Sequence, residues 1–322
     1  NRFLDALGLR KGFKEIEDYL IVDDRGHELS YGDVDTAPLL NIVDLGRRGF
    51  YRWRDVIAKR TRSRLMAFLQ FDMGRTYEAF DAIPFDRFCD EAALPDDLRV
   101  SFRTFARAFF SNETELSTAD VLRAFHFYYL GHDKGLMYDY PAGDYETMLL
   151  SPIRAHLEEH GVDIRMETPV GAVGPGEIRR FSLAGEEYDW LILAADIPGA
   201  QSIVSASSWM SDAAPAFARE LRALRTSDGY AVWRIWVDKD VRSSLPTFIN
   251  VERKRVLDSV TLYHRFTEEA SAWARGAGGA VLELHIYSLP AGMTREDEVR
   301  AIFVEELVGY FPELQGLRIE SE

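Results

Sequence analysis

The spacing of apolar residues changes period several times along the chain, and each change marks a predicted element. Tyr19-Leu20-Ile21-Val22, followed by Asp23-Asp24-Arg25-Gly26 and a polar run, predicts a β-hairpin over residues 13–31. From about residue 50 to residue 130 apolar positions recur three and four apart, as in Val100-Ser101-Phe102-Arg103-Thr104-Phe105-Ala106-Arg107-Ala108-Phe109, so helices are expected. Ser117 can cap one of them by accepting from first-turn amides, with Asp120 answering three positions on.

Residues 145–160 predict an amphipathic helix closed by Gly161. Residues 162–166 alternate as a strand that 169–173 continues, and Gly174-Pro175-Gly176 turns the chain. A strand over 178–183 follows, then a turn at Gly185-Glu186. Trp190-Leu191-Ile192-Leu193-Ala194-Ala195 is wholly apolar, the pattern of a strand buried on both faces of a parallel sheet. Further on, 230–237 and 281–287 predict strands, and 268–274 and Glu296–Tyr310 predict helices. No repeat, low-complexity tract or long linker interrupts these elements, which favours two interleaved domains over two beads on a string.

Composition narrows the function classes. With 47% hydrophobic and 28% charged residues in 322, the chain has the balance of a folded globular protein, long enough for two domains or for one and part of another. Twenty Phe, 14 Tyr and 6 Trp suit large apolar cavities, and equally a well-packed aromatic core. A formal charge of −15 argues against nucleic acid as a partner, since phosphate binding needs a basic face. The single cysteine, Cys89, excludes an internal disulfide and a multi-cysteine zinc site. No apolar run approaches the roughly 18 residues of a spanning helix, and neither a signal peptide nor an initiator Met precedes Asn1-Arg2-Phe3-Leu4. A cytoplasmic protein is expected, with peripheral attachment to a membrane as an option.

Several catalytic motifs are missing from the sequence. Gly174-Pro175-Gly176 continues as Glu177-Ile178-Arg179 and lies in a hairpin, so it is no dinucleotide fingerprint. No phosphate loop, HExxH or GxSxG is present, and His126 and His132 lack the helical spacing of a metal site. What stands out is the run Phe125-His126-Phe127-Tyr128-Tyr129-Leu130-Gly131-His132-Asp133-Lys134-Gly135-Leu136-Met137-Tyr138-Asp139-Tyr140-Pro141, extended by Asp144-Tyr145-Glu146 and Pro152-Ile153-Arg154-Ala155-His156-Leu157. With Ala231-Val232-Trp233-Arg234-Ile235-Trp236-Val237-Asp238 and Gly279-Ala280-Val281-Leu282-Glu283-Leu284-His285-Ile286-Tyr287, it resembles the carotenoid aromatic-ring synthases. These are similar to phytoene desaturases within the flavin amine oxidase superfamily. The resemblance is specific at these runs and extends from roughly residue 85 to residue 312.

The resemblance implies an α/β fold in which a Rossmann-like FAD-binding segment, residues 144–215, interrupts an α+β substrate domain made of 1–143 and 216–322. It implies FAD as cofactor, with the backbone of Val170 beside the adenine and Ala194, Ala195 and Asp196 ending a strand that points at the flavin. It also implies that the family's glycine fingerprint precedes Asn1 and its Gly-Asp flavin motif follows Glu322, so that this stretch alone would be inactive. The implied substrate is a carotenoid or related polyisoprenoid. The alternatives are an amine or other small-molecule oxidase of the same superfamily, or a non-enzymatic module for apolar ligands.

Aromatic-ring formation would include hydride loss from an allylic carbon, a methyl shift and proton loss. That route needs aromatic faces near positive charge, worth about 0.5–2 kcal/mol each, and a base. Tyr128, Tyr129, Tyr138 and Tyr140 are the candidate faces, and they would serve as well in ordinary core packing. His132, Asp133 and Asp139 are the candidate bases, with a turn or cap role as the competing reading for the first two. Trp233 is a further substrate-binding candidate; Trp236, three positions on along a strand, must face the other way. Finally, residues 47–64 interleave Arg47, Arg48, Arg52, Arg54, Lys59, Arg60, Arg62 and Arg64 with Tyr51 and Trp53. This stretch fits either a contact with an anionic membrane surface or a solvated helix paired with acidic neighbours.

Overall fold

In the computed structural model, which describes residues 2–57, 66–112 and 114–322, the predicted hairpin forms with its alternation intact. Strands β1 (Phe13–Glu15), β2 (Tyr19–Val22) and β3 (Glu28–Ser30) open the chain, and the Asp23 carboxylate closes the β2–β3 turn by accepting from the amides of Arg25 and His27. The helical stretch follows, and β4 (Asp139–Pro141) returns to pair with β1. Short strands β5 (Gly174–Pro175), β6 (Phe181–Leu183) and β7 (Glu186–Tyr188) come next. Strands β8 (Ala231–Val237), β9 (Phe248–Val251), β10 (Ser259–Leu262), β11 (Ala280–Ile286) and β12 (Ile319–Ser321) complete the set. Contacts divide the chain into two compact units, Asn1–His156 with Asp228–Glu322, and Leu157–Ser227.

The larger unit is built on a seven-stranded sheet of order β12-β8-β11-β10-β9-β2-β3, antiparallel except where β2 runs parallel to β9. Its two faces can be read from strand parity. Leu20 and Val22 of β2 and Leu282, Leu284 and Ile286 of β11 join Phe303 and Leu307 of the helix Glu296–Tyr310 in one core. Tyr19 and Ile21 point the other way, into a second core with Phe85, Phe88, Phe102, Leu122 and Phe125 of the helical layer. All four residues of β2 are therefore buried, although only alternate ones touch each core. Each fully buried large side chain is worth about 1.5–3 kcal/mol.

Local signals account for several boundaries. Ser117 caps the helix Thr118–Phe125 by accepting from the Ala119 amide, while Asp120 accepts from the Tyr77 hydroxyl instead of answering the cap. The helix Ser151–Glu159 ends with Gly161 at φ +78, a left-handed position that a side chain strains. Buried Glu306 accepts from three successive amides, those of Arg255, Val256 and Leu257, at 2.6–2.9 Å, and so fastens the loop before β10 to the helix Glu296–Tyr310.

In the smaller unit the sheet is an antiparallel meander, β5-β6-β7, followed by the helices Ile197–Ala206, Ser208–Ala213 and Pro215–Ala223. The Glu187 carboxylate accepts from the amides of Glu177, Ile178 and Arg179 and shapes the loop before β6. Three predicted strands differ. Residues 162–166 and 169–173 are irregular, and residues 190–195 run unpaired. Trp190 and Ile192 are 79% and 88% exposed instead of buried. A strand buried on both faces needs hydrogen-bonded neighbours on either side, and among the described residues of this unit the meander is the whole sheet. The alternation survives without the pairing: Leu191, Leu193 and Ala195 line an apolar cavity of about 530 Å³ with Phe181, Trp209 and Phe217.

Candidate ligand chamber

The segment that stood out in the sequence changes helix type at its first aromatic residues. After the helix Thr118–Phe125 the turn widens to a π-helix over His126–Leu130, a form that is frequent at functional sites. Phe127 is left 67% exposed, while the two residues that follow, Tyr128 and Tyr129, both face the interior. The chain then folds back through Gly131–Gly135. A Cβ on Gly135 would lie 2.1 Å from the Tyr128 carbonyl oxygen, so only glycine permits this return. Tyr138 and Tyr140 come next, beside and within β4, and close the loop against β1.

These tyrosines meet the sheet across a cavity of about 340 Å³. The helical layer contributes Thr104, Phe105, Tyr128 and Tyr129; the sheet contributes Tyr19, Ile21, Phe248 and Asn250; Tyr138, Tyr140, Phe266 and Tyr287 close the ends. The rings brace one another. Tyr19 stacks on Tyr31 at 4.2 Å, Tyr140 meets Phe266 edge-on at 4.4 Å, and Phe105 stands edge-on to Tyr128 at 5.7 Å and to Tyr129 at 5.9 Å. Such pairs contribute about 0.5–1.5 kcal/mol beyond their burial.

No charged side chain lines this cavity among the described residues. Burial raises the phenol pKa of Tyr19, Tyr129 and Tyr138, with neighbouring phenols adding to the rise at Tyr19 and Tyr138; burial brings Tyr287 to about 12. The chamber is thus an uncharged aromatic box at any ordinary pH. Ile16 and Tyr140 are shared with a polar vestibule of about 740 Å³ that holds Lys14, Glu15, Glu17 and Asp18. Tyr129 is shared with a third cavity of about 220 Å³, lined by apolar and aromatic side chains that include Ile42, Leu45, Phe68, Phe102 and Phe125.

Among the residues singled out in the sequence, Tyr128, Tyr129, Tyr138 and Tyr140 come together around this one chamber. His132 and Asp133 lie exposed in the following turn, where His132 Nδ1 accepts from the Lys134 amide. Asp139, between two lining tyrosines on β4, points away from them and pairs with Arg10 at 2.7 Å. Trp233 is on the opposite face of the sheet, near Phe303 and under the Arg300 guanidinium, with its indole N–H donating to Glu322. In the smaller unit Val170, Ala194, Ala195 and Asp196 are exposed; Ala195 borders the 530 Å³ cavity, and Asp196 caps the helix Ile197–Ala206 by accepting from the Gly199 amide at 2.8 Å. Lys59, Arg60, Arg62 and Arg64 lie outside the described residues.

Other members of the site were not singled out in the sequence. Tyr19, Phe105, Phe248, Asn250 and Tyr287 reach the chamber from distant segments. On the same sheet face, Glu283 binds the His285 imidazole at 3.1 Å and the Arg234 guanidinium at 2.5–2.8 Å, and Arg234 lies over the Tyr263 ring at 3.7 Å. Burial would raise the Glu283 carboxyl, but the bonds from His285 and Arg234 outweigh it and hold the group below the usual carboxylate range. The His285 ring lies 5.7 Å from that of Tyr287, a chamber wall. Strand parity would have revealed this cluster, since Glu283, His285 and Tyr287 must share a face.

The fold is shared with known oxidoreductases. A putrescine oxidase variant redesigned in cofactor binding matches with a TM-score of 0.65 at 13% identity, over 99% of this chain and 70% of that one. An oxidoreductase from Methanosarcina mazei matches with a TM-score of 0.55 at 12% identity, over 99% and 70%. No protein-family model matches the chain. In sequence it is 29% identical over 310 residues to the carotenoid phi-ring synthase of Streptomyces griseus, covering 94% of this chain and 59% of that protein. A carotenoid phi-ring synthase of Chlorobaculum tepidum is 32% identical over 135 residues, 42% of this chain and 20% of that protein. The chain therefore spans well under two thirds of the length of these curated relatives. The resemblance to the carotenoid aromatic-ring synthases extends over nearly the whole chain and not only from residue 85 onward. The fold is the expected α/β type.

Proposed function

We propose that this chain supplies the substrate chamber of an FAD-dependent oxidoreductase that desaturates a carotenoid or related polyisoprenoid and forms an aromatic end ring. The observation that carries the reading is the uncharged aromatic box around Tyr128, Tyr129, Tyr138 and Tyr140. A neutral polyene ring loses nothing by entering it, and apolar burial favours entry by about 25 cal/mol per Å². A protonated amine, the substrate of the alternative reading, would leave water without meeting a carboxylate there, which is costly. The two carotenoid phi-ring synthases among the relatives support the same choice.

Bound flavin would supply the hydride acceptor; the remaining work falls to side chains. Phenol and phenyl faces stabilise positive charge developing on the ring, at about 0.5–2 kcal/mol each, and keep water from trapping it. For the proton that is then lost, His285 is better supported than His132, Asp133 or Asp139. With Glu283 accepting from Nε2–H, the Nδ1 lone pair is left to accept a proton beside Tyr287. For the cofactor, Val170 is exposed and none of the described hydrogen bonds involves its backbone, which fits a contact to the adenine edge. Ala194, Ala195 and Asp196 would stand at the end of the extended segment facing the flavin. On this reading residues 144–215 serve the cofactor, and 1–143 with 216–322 serve the substrate.

Membrane contact belongs to the same reading, since polyenes reside in lipid. No helix of the described residues is long and apolar enough to cross a membrane. Exposed Trp53, Met66 and Leu69 border the apolar cavity, with Arg54 next to Trp53 in sequence and Arg47 six positions before it, a combination suited to an anionic surface. Liposome flotation should show retention that is lost on combining Trp53→Ser with Arg47→Glu and Arg54→Glu; retention by the triple variant would refute the contact.

The proposed activity is tested by adding FAD and a cyclic carotenoid to the full-length protein under anaerobic conditions. Flavin bleaching with the carotenoid and not with a diamine is expected. Bleaching by the diamine alone would replace this reading with the amine oxidase one.

A further inference from the structure

Tyr129 is the residue that the aromatic chamber and the 220 Å³ apolar cavity have in common. Several contacts fix it in that place. Its ring stacks on Phe125 at 4.4 Å and 12°, and its hydroxyl lies 3.3 Å from that of Tyr31. Its carbonyl, at the open end of the π-turn, accepts from the buried Asn41 amide at 2.6 Å. Asn41 is fully buried, and its own carbonyl oxygen has no partner among the described residues. A polar side chain kept half-satisfied in a core costs stability, and what it secures here is the position of Tyr129.

We propose that the 220 Å³ cavity is a second apolar subsite, which holds the chain of a long polyene whose ring occupies the aromatic chamber, and that the Tyr129 ring is the partition that must swing aside to admit it. The inference rests on the polyene reading above and adds to it a specificity element. A 340 Å³ chamber accommodates a ring and a short tail, not a long conjugated chain. Among the described residues the apolar continuation is past Tyr129, whereas the wall shared at Ile16 and Tyr140 gives onto a vestibule carrying Glu15, Glu17 and Asp18. A neutral hydrocarbon chain is favoured in the first direction and disfavoured in the second.

Two probes separate this inference from the reading it rests on: a monocyclic isoprenoid with a short tail, which needs the chamber alone, and a C40 carotenoid, which needs both spaces. Binding is followed in detergent micelles by the shift of polyene absorbance and by quenching of tryptophan fluorescence. Ile42→Trp, which fills the second cavity, should weaken the long probe by about tenfold or more, the usual scale of overpacking, and leave the short one within about twofold. Tyr129→Ala, which removes the ring, should bind the long probe faster. Thermal melts identify a variant that fails to fold; Leu98→Trp, from a different element lining the same cavity, then takes the place of Ile42→Trp. If the unaltered chain binds neither probe, the polyene reading fails. If it binds both, and neither the cavity-filling change nor Tyr129→Ala affects the long probe, the partition inference alone is overturned.

Discussion

Gly135→Ala should damage the chamber without replacing any residue that lines it. The Cβ of alanine would sit 2.1 Å from the Tyr128 carbonyl oxygen and 2.9 Å from its carbonyl carbon, and 3.3 Å from the His132 oxygen. Non-bonded atoms of this kind are not found closer than about 3.0 Å, so the π-turn must retreat by close to 1 Å. The clash is with backbone, which no rotamer change relieves. Overpacking of this sort costs about 1–3 kcal/mol, a fall of a few degrees in the melting midpoint of the larger unit. Tyr128 carries one wall of the chamber and braces Phe105, so its displacement should also weaken binding of a cyclic polyene by roughly tenfold, about 1.4 kcal/mol. Gly161→Ala is the control. That position has φ +78 and open space around it, so alanine there costs about 1–2 kcal/mol of backbone strain and should not change polyene binding. The assays are thermal melts and absorbance titration of both variants. If Gly135→Ala melted and bound as the parent does, the close approach at Tyr128 would not be what builds the chamber.

Thr104→Val should stabilise the protein by about 1 kcal/mol, because the buried hydroxyl has no partner among the described residues and the replacement keeps its shape; a lower melting midpoint would show that a partner exists. Glu306→Ala should cost about 3 kcal/mol or more by stranding three amides, and Glu306→Gln less, measured by urea denaturation; equal midpoints for parent and Ala variant would refute the staple. Alkaline titration at 295 nm should show Tyr19, Tyr129, Tyr138 and Tyr287 silent near pH 10. Their raised folded pKa values contribute stability that is fully present below the unfolded value near 10 and is lost as pH rises through the folded values, about 12 for Tyr287. Ionisation of all 14 tyrosines near pH 10 without unfolding would contradict the burial of these phenols.

Much of the fold was legible because local physics decided it. The Ser117 cap, the Gly161 stop, the β2–β3 turn and the helix Glu296–Tyr310 all follow from side chains a few residues apart. The grouping of Tyr128, Tyr129, Tyr138 and Tyr140 was visible because they lie within one short segment. Their partners Tyr19, Phe105, Phe248 and Tyr287 were not, since only the sheet order brings β2, β9 and the end of β11 to the same helix layer. Trp233 does not join this chamber, for a related reason. A strand pattern gives parity but not which face meets which layer, and Trp233 shares its face with the helix Glu296–Tyr310. Residues 190–195 carry the pattern of a buried strand, yet pairing depends on neighbours that the pattern does not specify.

The central claim, that the space around Tyr128 and Tyr138 receives a neutral polyene ring, is tested most directly by photo-crosslinking. A cyclic polyene carrying a diazirine on its ring is irradiated with the protein, and adducts are mapped by peptide mass spectrometry, with excess unlabelled polyene as competitor. Competed adducts within residues 128–140, or at Phe105 or Phe248, are the predicted result. Competed adducts confined to other parts of the chain, or labelling that the competitor does not reduce, would contradict it.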